Sequence, residues 1–435
     1  MKSTTFNTSL FTLLERCPTP YHATAYIEHK LATKGFLHLE EGEPWQVEKG
    51  NKYFLTRNGS LIAFTLGART SIESGFRMIG AHTDSPCLQI KPHIRTNETP
   101  YVLLGVEKYG GALLHTWFDR ELSLAGMVTC ALADNRIENL LIDFKKPLLY
   151  IPNLAIHLNR EANKGVEINV QEHLSPIIGQ GDGKDAPDFI EIITSQIAQE
   201  HPKTSVSEVL GFDLFCYDPK KPDYFGYQNK FIAAPRLDNL LSCHVGLEAI
   251  CHAEKKSNSL LLFTNHEEIG STSTSGALSN FIDLFFSRII KDSEKKAICL
   301  HNSFLLSLDN AHATHPNYKD KSDGDHLVLL NKGPVIKTNA QQRYATSALT
   351  ASSIRFIASE CGVKTQDFVM RGDMTCGSTI GPLTAAKLGI DTVDVGVPTW
   401  GMHSIREVTG SDDPVLLYRL AANFLNRKNL PMRKK

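Results

Sequence analysis

Two adjacent glutamates, Glu267 and Glu268, end an apolar run in LLLFTNHEEIGS, residues 260–271. Neighbouring residues of an extended chain face opposite ways, and adjacent like charges repel each other. The ordinary interpretation of such a pair is a solvated loop. At the end of a buried strand, however, one carboxylate can bind a metal ion while the other accepts a proton.

Other possible metal ligands follow similar apolar runs, or open a helical pattern. The runs that resemble buried strands are FRMIG (76–80), LLLFT (260–264), FLLSL (304–308) and DTVDVGV (391–397). The histidines and carboxylates in these positions, besides the glutamate pair, are His82, Asp238, Asp309 and His403. Functional crevices of open α/β sheets lie beyond the carboxyl ends of the strands, so we expect these side chains to share one rim.

A set of imidazoles and carboxylates without thiolates suits a hydrolytic site for divalent metal ions. Zinc is the favoured ion, with manganese and cobalt as alternatives. Two ions about 3.5–4 Å apart need roughly five ligands when one carboxylate is shared. The five are His82, Asp238, Glu268, Asp309 and His403. Asp84 could then accept the second ring N–H of His82, and Glu267 remains to take a proton from the attacking water.

The elements that would hold these residues indicate an α/β fold. PTPYHATAYIEHKLATKGF predicts a helix with Thr19 as N-cap, Pro20 at its first position and Gly35 beyond its end. Further helical patterns occupy 237–256 and 345–362, between strand-like runs. Buried strands that alternate with helices predict a mixed sheet covered by helices on both faces.

The residues from 91 to 226 have a different pattern. GMVTCALA, NLLIDFKKPLLYIP and GFDLFCYDP resemble strands, GQGDGKDAPD (179–188) resembles turn material, and FIEIITSQIAQE is the one clear helix. We therefore expect a β-rich domain at 91–226, inserted into a discontinuous domain formed by 1–90 and 227–435.

Composition excludes several functional classes. A net charge of −1 over 435 residues argues against a nucleic-acid or membrane-surface binder. Nine cysteines without a CxxC pair indicate reduced thiols. The first residues lack the apolar core of a signal peptide, and no run approaches the roughly 18 apolar residues of a membrane span. We expect a cytoplasmic protein.

Six motifs in order give the chain a specific resemblance. GAHTDSP, PRLDN, NHEEIGS, DNAHATHPNY, RGDMTCGSTIGP and GMHSIRE resemble the aspartyl aminopeptidase family of dinuclear metallopeptidases, over essentially the whole chain. The resemblance assigns His82 and Asp309 to one ion, Glu268 and His403 to the other, and Asp238 to both. It also implies Glu267 as general base, Asp84 as a catalytic residue and a cis peptide bond after Asp238.

The resemblance further implies removal of N-terminal Asp or Glu from peptides. It implies a homo-oligomer built from dimers, a dodecamer, with 91–226 as the dimerisation domain. The positions that match the family's substrate contacts are His157, His312, Lys337 and Tyr344. Among these, His157 would act in the partner subunit's site and Lys337 would attract the acidic side chain. Gly372 stands where a larger polar residue is expected.

Two other functions remain open at this point. The same metal platform serves carboxypeptidases and amide deacylases, in which Lys337 would bind a terminal carboxylate. Cleavage of a free-amine Asp substrate, compared with its N-acetylated form, separates these from an aminopeptidase. A catalytically silent assembly protein is the third candidate, and the intact ligand set with Glu267 argues against it.

Overall fold

The computed structural model describes residues 2–95, 99–165, 167–181, 188–254 and 256–431. The predicted turn at 179–188 therefore falls partly outside the described residues. The chain forms two compact units. The first comprises Met1–Asp84, Pro222–Met402 and Glu407–Lys435, and the second comprises Ser85–Lys221 with His403–Arg406.

Among the described residues, strands follow one another without an α-helix between residues 37 and 150, and helices and strands are interspersed from residue 237 onwards. The helices are α1 Ser3–Arg16, α2 Pro20–Thr33, α3 Val170–His173, α4 Phe189–Glu200, α5 Leu237–Cys251, α6 Phe281–Ile289, α7 Ser293–His301, α8 Ala348–Glu360, α9 Ile380–Leu388 and α10 Asp413–Asn426. The strands are β1 Leu37–His38, β2 Lys52–Arg57, β3 Ser60–Thr65, β4 Phe76–His82, β5 Cys87–Arg95, β6 Tyr101–Tyr109, β7 Glu121–Leu132, β8 Ile137–Asp143, β9 Leu149–Tyr150, β10 Ile177–Gln180, β11 Val206–Tyr217, β12 Asp223–Phe225, β13 Phe231–Ala234, β14 Asn258–Thr264, β15 Phe304–Leu308, β16 Ala311–His312, β17 Val335–Thr338, β18 Gln366–Val369, β19 Asp391–Gly396, β20 Pro398–Trp400 and β21 Glu407–Gly410.

A nine-stranded mixed sheet forms the centre of the first unit, in the order β1-β2-β3-β14-β4-β15-β19-β17-β18. The central strands β14, β4, β15 and β19 run parallel to their neighbours in this group. They are the four runs that the sequence predicts as buried strands, and β4, β14 and β15 are buried at every residue. Continuous apolar runs are what strands need when both faces are covered.

Helices cover both faces of this sheet, as the sequence predicts. Leu261 and Phe263 of β14 belong to the apolar core shared with α1, α2, α5, α8 and α10. Leu260 and Leu262 belong to the opposite core, shared with α6, α7 and α9. The alternation follows from the two-residue period of a strand. The helix predicted after Thr19 is α2, whose N-cap hydroxyl accepts the N–H of His22.

A smaller sheet of the first unit, in the order β12-β13-β21-β20-β16, leads the chain into α5. Strand β13 runs antiparallel to β21, with Ala234 opposite Glu407. Four residues after Ala234 the chain reaches Asp238, in the first turn of α5. The pairing of β13 with β21 therefore fixes where this helix starts.

The second unit is rich in β-structure, as expected for the inserted segment. Its seven strands follow the order β11-β5-β6-β10-β9-β7-β8, and a further pairing between β11 and β7 closes six of them into a ring. Helix α4 is the predicted helix, and Phe189, Ile193 and Ile197 on it join the core of the unit. A role of this unit in dimerisation stays a proposal. Along the described parts of both units, we find no helix with the length and apolar character of a membrane span.

Candidate metal centre

The parallel strands of the first unit end at one rim. His82 is the last residue of β4, and the register places it opposite Thr264, the last residue of β14. Glu267 and Glu268 follow three and four residues later. On the other side of β4, strand β15 ends at Leu308, directly before Asp309. The sheet therefore brings ligands from distant parts of the sequence to one edge.

Three of the expected ligands meet in one cluster, which we call the metal cluster: His82, Asp238 and Glu268. One donor atom from each lies within 4.8 Å of the other two. The His82 Nε2 and Asp238 Oδ1 atoms are 3.5 Å apart. His82 and Asp238 are buried, and Glu268 is half-buried.

The donor atoms of the metal cluster suit a zinc-type ion. One imidazole nitrogen and two carboxylates match the ligands of hydrolytic metal sites. Cys243 lies beside the cluster, and its thiol donates to the carbonyl of His82 at 3.0 Å. Burial raises the pKa of this thiol to about 12, and its hydrogen bond directs it to the main chain of His82. The residues present therefore fit the metal that the sequence predicts.

Asp84 orients His82 through its main chain. The Nδ1 atom of His82 lies 3.0 Å from the carbonyl oxygen of Asp84 and 3.4 Å from its carboxylate. The nearest acceptor for the second ring N–H is thus the carbonyl oxygen of Asp84. The sequence predicted this residue as the acceptor but not which of its oxygens accepts. Donation from Nδ1 leaves Nε2 available to a metal ion.

The carboxylate of Asp84 has a separate task. Its two oxygens accept the main-chain N–H groups of Glu267 and Glu268, each at 3.1 Å. These glutamates start a short 3₁₀ turn, Glu267–Ile269, after His266 in a left-handed conformation. The adjacent glutamates of the sequence are therefore part of a fixed turn rather than a solvated loop, and Asp84 holds both.

Glu267 lies close to the metal cluster. Its Oε2 atom is 3.9 Å from Nε2 of His82. Burial raises the pKa of Glu267 to about 7, and the carboxylates of Asp309 and Asp84 add to the rise while His82 opposes it. Bound cations would lower this pKa, and a carboxylate this close to the metal cluster is placed to accept a proton and return it.

The same crowding acts on the other titratable groups. Burial raises the pKa of Asp309 to about 6, against the opposing charge of Lys337. Burial lowers the pKa of His82, but the surrounding carboxylates, that of Glu267 first, outweigh it and raise the pKa well above its ordinary value. Bound cations favour the ionised forms of carboxylates, so the concentration of acidic groups matches a site for divalent ions.

Asp238 lies at an irregular point of α5. The peptide bond between Asp238 and Asn239 is cis, which confirms the expectation from the sequence. Both residues have non-helical backbone angles. The Asn239 side chain donates to the carbonyl of Leu308 at 2.9 Å, which ties the start of α5 to the strand that precedes Asp309.

Lys337 is buried beside Asp309. Its side chain is 2% exposed, and its Nζ atom lies 3.6 Å from Oδ2 of Asp309. The ammonium donates to the carbonyl of Asn310 at 3.1 Å and lies 5.0 Å from the ring centre of Tyr344. His312 is exposed, with its ring 5.9 Å from that of Phe368. The first unit thus gathers three of the four expected substrate contacts on neighbouring elements.

His403 and His157 belong to the second unit. The Nδ1 atom of His403 lies 3.3 Å from the carbonyl of Gly111, a contact that would leave Nε2 available to a metal. A Cβ atom on Gly111 would lie 3.1 Å from this nitrogen, so the glycine permits the approach. His157 is exposed, in the exposed segment 152–158.

Sequence reasoning missed some of the contacts that hold these residues. The acceptor role of the Asp84 carboxylate and the bond from Asn239 to Leu308 each join residues that are more than 60 positions apart. No local sequence pattern predicts contacts between residues so far apart. The Gly110-Gly111 pair was a detectable signal, because a double glycine often permits a close approach.

The chain is similar to known proteins over almost its whole length. The aminopeptidase I zinc metalloprotease (M18) family matches residues 13–425. A probable M18 family aminopeptidase 2 of Azotobacter vinelandii is 48% identical over 429 residues, 98% of this chain and 100% of the relative. A cryo-EM structure of the Ape4 and Nbr1 complex contains a chain similar to this one, with a TM-score of 0.94 and 36% identity over 98% of this chain and 86% of that chain. The S. cerevisiae mApe1 dodecamer gives a TM-score of 0.83 and 26% identity over 97% and 96% of the two chains.

Proposed function

Because the chain belongs to the M18 family of zinc metalloproteases and is a metal-dependent aminopeptidase, we propose that it removes N-terminal Asp and Glu from peptides. We further propose that it uses two divalent ions, most simply zinc, that share Asp238. Asp309 and His403 would complete the ligand set begun by the metal cluster. The similarity between this chain and its relatives supports the reaction class, and the acidic preference rests on the residues of this chain.

The bound ions would supply a Lewis acid that activates water and polarises the scissile carbonyl. Glu267 accepts the proton of the attacking water and returns it to the leaving amine. Asp84 keeps the backbone of Glu267 in place, so the base does not move away from His82. His82 is held in the tautomer that presents Nε2.

The observation that carries the acidic preference is the buried ammonium of Lys337. It lies between Asp309 and the face of the Tyr344 ring. A buried cation next to a candidate ligand can form a charge-assisted pair with the carboxylate of an N-terminal Asp or Glu. A neutral side chain would leave this charge without a substrate partner, which disfavours neutral substrates.

We also propose that the site uses a second copy of the chain. His157 lies in an exposed segment whose apolar side chains include Leu154, Ile156 and Leu158, the last of them 75% exposed. Exposed apolar clusters mark interaction surfaces. If a second copy covers this segment, His157 of the first chain would enter the metal site of the second copy. There its imidazole would donate to the developing oxyanion. The dodecamer described for S. cerevisiae mApe1 supports a homo-oligomer for this chain as well.

A substrate series tests the proposed function. Peptides that differ only in the N-terminal residue (Asp, Glu, Leu or Ala), and an N-acetylated Asp peptide, are compared by kcat/KM with zinc present. We expect the Asp and Glu peptides to be cleaved fastest and the acetylated peptide not at all. Faster cleavage of Leu or Ala peptides would contradict the acidic preference, and cleavage of the acetylated peptide would contradict an aminopeptidase.

A further inference from the structure

Glu407 is a buried acid that belongs neither to the proposed metal ligands nor to the proposed substrate contacts. It is 2% exposed, and its Oε2 atom accepts the main-chain N–H of Asp238 at 2.9 Å. Asp238 is itself 3% exposed. A buried carboxylate therefore contacts the backbone of the residue that both ions are proposed to share.

The contact supplies a hydrogen-bond acceptor at the start of α5. The first N–H groups of a helix have no acceptor within the helix, and Asp238 is the second residue of α5. A buried N–H without an acceptor is destabilising, because it loses its hydrogen bond to water on folding. A carboxylate is a strong acceptor for it, and its charge is favourable near the positive end of the helix dipole.

The fold delivers Glu407 to this position by strand pairing. Glu407 starts β21 and lies opposite Ala234, the last residue of β13. The turn between β13 and α5 is held from another direction by Arg236, whose guanidinium donates to the carbonyls of Leu14 and Cys17. The backbone before the shared ligand is therefore held by side chains on both sides.

The backbone around Asp238 is thus held by hydrogen bonds at Asp238 itself and at the next residue. Glu407 holds its N–H, and the next residue, Asn239, holds the carbonyl of Leu308. Metal affinity depends on ligand positions within about 0.5 Å, which supporting hydrogen bonds maintain. We propose that Glu407 is a positioning residue, which sets the place of the Asp238 carboxylate by accepting its backbone N–H. The proposal rests on Asp238 being a metal ligand, and not on the substrate preference.

Two conservative variants distinguish the role of the acceptor oxygen from the role of the negative charge of Glu407. Glu407→Gln removes the charge and keeps an oxygen that can accept the N–H, whereas Glu407→Asp keeps the charge and shortens the side chain by one carbon. Zinc is removed from the full-length protein, and the zinc Kd is then measured by competition with a chromophoric chelator. Melting of the zinc-free protein is recorded in parallel, so that loss of fold is distinguished from loss of affinity.

We expect Glu407→Gln to keep a zinc affinity close to that of the unchanged protein. Glu407→Asp should weaken it by about 10–100-fold, the usual effect of losing a contact behind a ligand. Thr409→Val is the matched control, because it removes another buried hydrogen bond of β21, to the carbonyl of Pro398, without touching Asp238. It should leave zinc affinity unchanged.

The reverse order, with Glu407→Asp unaffected and Glu407→Gln weakened, would overturn the proposal, because charge and not position would then matter. Unchanged zinc affinity in both variants, with or without a lower melting temperature, would overturn it too. Asp238→Ala checks the premise separately: if it binds zinc as well as the unchanged protein, the ligand assignment fails. Because no substrate enters these measurements, the proposed acidic preference stands or falls independently.

Discussion

The metal cluster of the first unit and the exposed segment 152–158 of the second unit differ in how their side chains are held. In the cluster, hydrogen bonds from within the same unit fix the backbone or the ring of each ligand, through Asp84 and Glu407. The exposed segment is anchored at its start, where Asn153 makes two hydrogen bonds to Asp119. Beyond that anchor its residues are exposed.

This difference indicates two kinds of functional residue. A buried set with its own supports can be positioned by one chain before any ligand binds. An exposed apolar segment with a histidine in it is typical of a surface that another protein surface covers. We therefore expect substitutions in the cluster to act within one subunit, and a substitution of His157 to act on the site of a partner subunit.

The largest effect is expected from Glu267→Gln. Loss of the proton acceptor should lower kcat by about 10²–10⁴-fold while zinc content stays near that of the unchanged protein. Glu268→Gln is the matched comparison, because it changes the adjacent residue on the same turn and should lower zinc occupancy. Activity and metal content are measured on the same samples. Equal depletion of zinc in both variants would refute the division of tasks between the two glutamates.

His157→Ala should cost about 10²–10³-fold in kcat, the usual loss for one oxyanion donor. Hybrids of His157→Ala and Glu267→Gln chains, purified with two different tags, test whether the loss occurs in the partner's site. In a symmetric dimer roughly half of the hybrid's sites should regain activity.

The matched control for the hybrid joins an unchanged chain to a chain with both substitutions. If His157 acts across the dimer, each site of this control lacks one group, and the control is inactive. Activity in the control and none in the first hybrid would show that His157 serves its own chain, against the proposal.

Lys337→Met should lower kcat/KM for Asp and Glu peptides by roughly 30-fold or more, at the lower end of the usual cost of breaking a buried charge pair. Leu and Ala peptides have no carboxylate to pair with the ammonium, so their kcat/KM should stay nearly the same or rise slightly. Lys332→Met, at an exposed lysine just before β17, serves as control. An equal loss on acidic and neutral peptides, with weaker zinc binding, would show instead that Lys337 acts through Asp309.

The smallest effect concerns stability, at a buried histidine remote from the reaction. His244 lies in α5, its Nε2 atom is 2.9 Å from the Ser9 hydroxyl of α1, and burial lowers its pKa to about 3. The folded protein favours the neutral ring, so the unfolded chain binds more protons between pH 3 and pH 6.5. The contribution of His244 to the stability of the protein should therefore fall as the pH decreases through that window, by about 2 kcal/mol between pH 7 and pH 5 at 1.36 kcal/mol per pKa unit.

Urea unfolding at the two pH values measures this loss. His244→Gln lacks this contribution, so the stability that the variant loses relative to the unchanged protein should be about 2 kcal/mol smaller at pH 5 than at pH 7. His252→Gln, at an exposed position at the end of α5, should retain the full dependence. The prediction fails if the His244 variant shows the same pH dependence as the unchanged protein.

Much of the fold could be predicted because its signals are local. The runs that became β4, β14, β15 and β19 are continuously apolar, as strands covered on both faces must be. The cap of α2 follows from Thr19 and Pro20. The small sheet that joins β13 to β21 has no such signal, because its strands are short and come from three separate parts of the sequence, 223–234, 311–312 and 398–410.

The candidate site divides in the same way. The ligand types and their places at strand ends were visible in the sequence, and the metal cluster brings three of them together. The hydrogen bonds that hold the ligands could not be predicted, because nothing near Glu407 in the sequence indicates that its carboxylate reaches Asp238. Lys337 could be identified from the family motif. Its burial beside Asp309 could not be predicted without the strand order of the sheet.

In the proposed metal site, Asp238 is shared by two metal ions. Anomalous diffraction from crystals of the zinc-loaded protein, recorded on both sides of the zinc edge, tests it most directly. We expect two peaks about 3.5–4 Å apart, each within bonding distance of the Asp238 carboxylate, with His82 at one and Glu268 at the other. A single peak, or two peaks of which only one contacts Asp238, would contradict the account.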